Sequence, residues 1–132
     1  MNFEFTLKSD LESGIKKVTD ALKSVGFGIL TRIDFDQKIK EKLGVDLPKT
    51  TILGACNPTL AYEAYKKDSN MLLLIPCNVV LEEKEDHLQV KIIKPSYMMK
   101  MLNSVELEKL AKEADESLEK VIATLKGESY GF

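Results

Sequence analysis

The 132-residue chain has no tryptophan, a single histidine, two cysteines and four prolines. Two cysteines cannot make a disulfide-rich secreted scaffold. One histidine with two cysteines cannot close a four-ligand Cys/His zinc site within one chain. Neither sign of charge dominates: 19 Lys+Arg stand against 21 Asp+Glu, a net of −2. That balance lacks the basic footprint that nucleic acid or an anionic membrane surface requires. The longest unbroken aliphatic run, Met71 to Ile75, is far too short to span a bilayer. The first 17 residues carry Glu4, Lys8, Asp10, Glu12, Lys16 and Lys17, so no apolar signal core is expected there. The expected compartment is the cytoplasm, with both thiols reduced and with neither nucleic acid nor membrane as a partner. No repeat, low-complexity tract or linker interrupts the sequence, and a single domain over residues 1–132 is expected.

What is present is an ordinary globular composition, 44% hydrophobic and 30% charged. For 14.8 kDa, size scaling gives roughly 7,000 Å² of folded surface against about 21,000 Å² unfolded, enough for a substantial core.

The first residues alternate, with Phe3, Phe5 and Leu7 on one side and Asn2, Glu4, Thr6 and Lys8 on the other. A period of two predicts a strand with one buried face. Ser9 and Glu12 have capping-box spacing. Leu11, Ile15, Val18, Leu22 and Val25 then recur at helical steps up to a stop at Gly26. Phe27 to Ile33 reads as a second strand. A short helix is predicted over Gln37 to Leu43, capped near Asp34 or Asp36 and ended by Gly44. Thr50 to Cys56 reads as a third strand. Asn57-Pro58 sets a preferred cap before a preferred first helical residue. The helix they open runs to about Lys67, with Leu60, Ala61, Ala64 and Tyr65 as its inner positions. Val79 to Glu83 and Leu88 to Lys94 have the pattern of a hairpin around an acidic turn. Last comes a long helix capped at Asn103 or Ser104 and closed by Gly127, with Leu107, Leu110, Ala114, Leu118, Val121 and Leu125 on its apolar stripe.

The late hairpin followed by one long helix favours α+β over a parallel layer. The later strands are apolar on both faces: Ile52 against Leu53 and Ala55, Val79 and Leu81 against Val80, Val90 and Ile92 against Ile93. Such strands need cover on both sides. If the long helices cover one face, the short helices or a second copy of the chain must cover the other, which predicts a homodimer.

The chemistry-bearing residues cluster in Gly54-Ala55-Cys56-Asn57-Pro58 and Pro76-Cys77-Asn78. Cys56 lies just ahead of a helix whose free N–H groups and dipole would favour a thiolate, although Asn57 competes for those groups. Cys77 is its possible partner on the neighbouring strand. The bland alternative makes both thiols small buried hydrophobes and both asparagines caps or turns. His87, among Glu82, Glu83, Glu85 and Asp86, reads as a solvated turn. No functional metal is expected there, and an adventitious cation at His87 and Glu85 is the most such a turn would hold. Gly26-Phe27-Gly28 precedes a strand and lacks a third glycine or a lysine, so it is no phosphate loop. Met98, Met99 and Met101 with Tyr97 fit core packing, and alternatively a soft-metal or promiscuous surface. Tyr62 and Tyr65 are expected to pack the third helix.

Three blocks carry a resemblance: Gly26 to Thr31, Leu53 to Pro58 with Leu60-Ala61-Tyr62, and Leu72 to Val80. They resemble the signature blocks of a prokaryotic family known as domain of unknown function 302, over Phe3 to about Leu125. The resemblance implies a TATA-binding-protein-like α+β fold. Its sheet is mainly antiparallel, five-stranded and curved, with two long helices (about 10–25 and 104–126) on one face and two short helices inserted. It also implies dimers, and it brings no activity, substrate or cofactor with it. The family pattern leads one to expect an acidic residue where Lys94 precedes Pro95.

The resulting expectation is a dimeric small-ligand-binding module. Cys56, Asn57, Pro58, Cys77 and Asn78 would form its site, holding an apolar or anionic ligand by the amides around Asn57 and Pro58, with Asn78 setting orientation. Two alternatives stand beside it: a redox enzyme or thiol sensor using Cys56 and Cys77, and an interaction domain without a ligand.

Overall fold

The computed structural model describes residues 1–129. Its elements are β1 (Asn2–Leu7), α1 (Leu11–Lys23), β2 (Gly28–Asp34), α2 (Phe35–Leu43), β3 (Thr50–Cys56), α3 (Pro58–Lys67), β4 (Cys77–Glu83), β5 (Leu88–Ile93), α4 (Pro95–Met99) and α5 (Val105–Ser129). Short 3₁₀ turns occupy Ser69–Leu74 and Lys100–Leu102. The five strands form one antiparallel sheet in the order β1-β5-β4-β3-β2. The fold is therefore α+β, as the late hairpin indicates. Among the described residues no helix is long and apolar enough to cross a membrane.

In this order β2 to β5 form a meander, and β1 closes its far edge against β5. α1 must then carry the chain from one edge of the sheet to the other. Its stripe Leu11, Ile15, Val18 and Leu22 is buried on the way. Beneath it lie Phe5, Leu7, Leu53, Val79, Leu81, Val90 and Ile92 from one face of the sheet, and Leu118, Val121 and Leu125 of α5 join the same core. Fully burying one such aliphatic side chain contributes about 1.5–3 kcal/mol, so this layer supplies the main driving force.

The helix ends show where local signals hold and where tertiary partners displace them. The cap of α1 is Asp10, one residue past the expected Ser9, and its Oδ1 accepts from Ser13 N at 2.8 Å. At the other end Phe27 N donates to Leu22 O and Gly26 N to Lys23 O, with Gly26 at φ +88°. This is the Schellman pattern, in which the residue past the cap needs a left-handed backbone. α2 begins after Asp34, but that carboxylate makes no capping bond; it accepts instead from Arg32 Nε and Thr51 Oγ1, each at 3.0 Å. Asp36 accepts from Thr50 N across the β3 end. α5 runs straight through Gly127 to Ser129, so that glycine closes nothing. In α3 only Ala64 is fully buried; Tyr65 and Tyr62 are exposed, with the Lys66 ammonium 4.9 Å from the Tyr62 ring centre.

The two sheet faces differ. The helices cover one. On the other, the register aligns Ile33, Ile52, Val80, Lys91 and Glu4 in a row across all five strands. Ile52 and Val80 are half-buried and Ile33 is 45% exposed. α2 buries none of its residues, although it lies against β3.

Replacing Gly26 with alanine keeps the helix but forces a Cβ into the left-handed region. The expected loss is about 1–2 kcal/mol, read as a lower urea midpoint with an unchanged slope.

Candidate functional site

β3 and β4 pair with Ala55 opposite Cys77 and Gly54 opposite Asn78. The intervening chain, residues 57–76, must fold back beside this strand end. It does so as α3, the 3₁₀ turn and a cis Ile75–Pro76 corner. Asn57 opens α3: its Oδ1 accepts from Leu60 N at 3.2 Å and its carbonyl from Ala61 N at 2.8 Å. Asp68 then starts the turn by accepting from Asn70 N. The Pro76 corner rests on the far sheet face, where a Cβ on Gly54 would collide with Thr31 Oγ1 and lie 2.6 Å from Pro76 Cγ. Only glycine lets β2, β3 and the corner approach this closely.

α4 completes the surroundings. Lys94-Pro95 starts it, and Asp115 of α5 accepts from Ser96 N at 3.1 Å, supplying from a distance the cap that the local sequence lacks. Met99 of α4, Met71 of the 3₁₀ turn, Ala64, Leu107 and Ala111 form a second, smaller core.

Between the two cores lies a cavity of ≈ 60 Å³ at the base of a cleft of ≈ 480 Å³ counted out to its open mouth. Five alanines border it: Ala55 of β3, Ala61 and Ala64 of α3, and Ala111 and Ala114 of α5. Small side chains at these converging positions leave the space unfilled. Around them stand Phe27, Leu60, Ile75, Pro95, Leu107 and Leu110, together with Cys56, Cys77, Met71, Met99 and Asn57.

Of the residues singled out in the sequence, Cys56, Asn57 and Cys77 border this cavity. Pro58 is the first residue of α3 and outside the lining. Asn78 is exposed and, by strand alternation, on the face opposite Cys77. The anion-holding amides reduce to one: Pro58 has no N–H, and Leu60 N is already bound to Asn57, which leaves Thr59. Met71 and the alanines of α5 carry no local signal of a site, and Met99, grouped in the sequence with Met98, Met101 and Tyr97, joins Met71 at the cavity instead. Their distance along the chain hides them, although the alternation Cys77, Val79, Leu81 against Asn78, Val80, Glu82 already separates Cys77 from Asn78.

Both cysteines are free thiols. Burial pushes the Cys56 thiol up from its ordinary value. It pushes the deeper Cys77 up to about 12, with Cys56 and Asp115 adding to the effect. Neither is poised as a thiolate, which opposes the redox reading. His87 lies in the β4–β5 turn, its Nδ1 2.7 Å from Asp86 Oδ1. That turn is at the other end of β4 from Cys77, roughly 20 Å along the strand, so no Cys–His pair exists. Among the described residues no three His, Cys, Asp or Glu side chains gather as metal ligands, at His87 and Glu85 or elsewhere.

With this geometry in hand, comparison with known proteins places the chain. Residues 3–125 match the family described as domain of unknown function DUF302, and the chain belongs to that family. A solved structure, "uncharacterized conserved protein DUF302 from Bacillus stearothermophilus", is similar in fold, with a TM-score of 0.83, 23% identity and 95% of each chain covered. No curated protein matches.

The buried thiol sets a pH dependence. Cys77 titrates near 9.0 in the unfolded chain and about 12 in the folded one, so the folded state holds more protons between those values. Stability is therefore full below about pH 9 and falls as pH rises from there towards 12. The difference in unfolding free energy between the chain and Cys77→Ala, followed by denaturant titration, shrinks over that window.

Proposed function

We propose that this chain is a binding module for a small, predominantly apolar ligand, held in the cleft between the two cores. The carrying observation is the chemistry of the lining. Asn57 is its one polar side chain, and the Asn57 Oδ1 is already engaged by Leu60 N. Beyond the Asn57 Nδ2 donors, a charged ligand or one with several hydrogen-bonding groups would lose its water there without replacement, a cost of about 1–3 kcal/mol per group. An apolar one gains from leaving water. With neither thiol activated, binding fits the site better than catalysis.

A thermal-shift series with neutral probes of increasing size, from benzene to cyclohexanol and octanol, tests this. A fitting probe raises the melting temperature in a saturable way, equivalent to ~2.7 kcal/mol at a hundredfold excess over its Kd. Ala61→Phe places a ring in the cleft from a half-buried position on α3 and removes the shift while leaving the unliganded protein folded. No saturable shift with any probe contradicts the proposal.

The module acts as a homodimer through the sheet face opposite the long helices. Supporting this, the row Ile33, Ile52, Val80 is apolar and lies on the sheet face away from the long helices. Sedimentation in dilute solution is expected to give twice the 14.8 kDa chain mass, and Ile52→Glu to give a single chain with unchanged circular dichroism. A single-chain mass for the parent protein contradicts the dimer.

A further inference from the structure

The one polar side chain of the cleft, Asn57, is held by its amide in a single orientation. The backbone at Asn57 is still extended, with φ −97° and ψ 105°. Strand alternation therefore carries on past the end of β3 and sets Asn57 on the face of Ala55 and its partner Cys77, both of which border the cavity. Leu60 N can only donate, so the side-chain atom 3.2 Å from it is the amide oxygen, Oδ1. The helix cap thus decides which end of the amide is spent. The end left over is Nδ2, beside the turn that leads into Phe27, another residue of the lining. A Cβ built on Gly26 in that turn would be 3.2 Å from Nδ2 and 3.8 Å from Cγ, so glycine leaves the space next to the donor open. Among the described residues, no acceptor takes either Nδ2 hydrogen.

We propose that the ligand of this cleft is a neutral carbonyl compound, a ketone, aldehyde or ester on an apolar body, and that Asn57 Nδ2 donates to its carbonyl oxygen. The inference rests on the apolar-ligand reading above and narrows it to one chemical class. A carbonyl oxygen accepts and has nothing to donate, so a single bond to Nδ2 satisfies it. An alcohol brings a hydroxyl hydrogen as well. The side chains around it are hydrocarbon or sulfur, and sulfur is only a weak acceptor. A carboxylate gives up several waters for one donor, which apolar surroundings punish more heavily. Burial keeps both thiols protonated, so no anionic sulfur competes for the Nδ2 hydrogens. The same residue therefore has two roles: Oδ1 starts α3, and Nδ2 selects the ligand.

Matched probes test this on the full chain. Cyclohexanone and methylenecyclohexane share a ring and differ only in the atom doubly bonded to it, oxygen against carbon. Asn57→Asp keeps a cap of the same length and exchanges the donor for an acceptor, while Asn57→Ser keeps a neutral cap that is too short to reach the ligand. In both variants the Kd for cyclohexanone, from NMR titration, is expected to rise about tenfold, the weight of one neutral hydrogen bond. The Kd for methylenecyclohexane should stay nearly unchanged. In the parent chain, the side-chain amide resonances of Asn57 should move with cyclohexanone and stay in place with methylenecyclohexane, a readout that needs no variant to fold. Equal effects on the two probes, or an Asn57 amide indifferent to cyclohexanone, would overturn the carbonyl proposal and leave the apolar cleft standing. Saturable binding of neither probe would remove the cleft reading itself, and the carbonyl proposal with it.

Discussion

The antiparallel pairing of β3 with β4 constrains everything around the site. Because Ala55 faces Cys77, residues 57–76 must leave the sheet and return at the same strand end within a short span. The chain meets that demand with a capped helix, a 3₁₀ turn and a proline corner. Gly54 makes the return possible by leaving room for Thr31 and Pro76 on the far face. Leu60 of the inserted segment packs against the main core, and the rest of the segment builds a small core of its own with α4 and the first turns of α5. The cavity is the seam between these two cores. It exists because alanine, not a larger residue, stands where three elements converge.

That origin explains why the site is apolar and why its cysteines are quiet. Elements that meet through alanine and methionine exclude water but supply no hydrogen-bonding partners. A thiol placed among them keeps its proton, as the upward shifts of Cys56 and Cys77 indicate. The positive end of α3 is not available to offset this, because Pro58 and the Asn57 cap occupy most of its first turn. Proximity of two cysteines to a helix start is thus a weak guide to reactivity when the cap is an asparagine side chain.

Much of this was legible in the sequence wherever one short signal decides the structure. β3 has the bounds that its apolar run implies, and Asn57-Pro58 opens α3 as expected. The stripe of α1 and the Gly26 stop follow directly from helical spacing and the need for positive φ. What was not legible depends on distant partners. α4 is five residues long and is held by Asp115, nineteen positions away. Asp34 is drawn from capping α2 by Arg32 and Thr51, which the strand register brings alongside. Gly127 meets no neighbour within 4 Å and adopts no left-handed turn, so it extends the helix like any other residue. The cavity itself is not legible in the sequence: Cys56, Asn57 and Cys77 stand out locally, but no local pattern links them to Met71, Met99, Ala111 and Ala114.

The central claim is that the seam between the two cores is a binding site and not a packing fault. Methyl-resolved NMR of alanine and methionine during titration with a small apolar probe addresses it most directly. The account predicts saturable shifts centred on Ala55, Ala61, Ala64, Ala111, Met71 and Met99. Shifts spread over exposed positions such as Met1 and Met101, with the seam methyls unmoved, would contradict it.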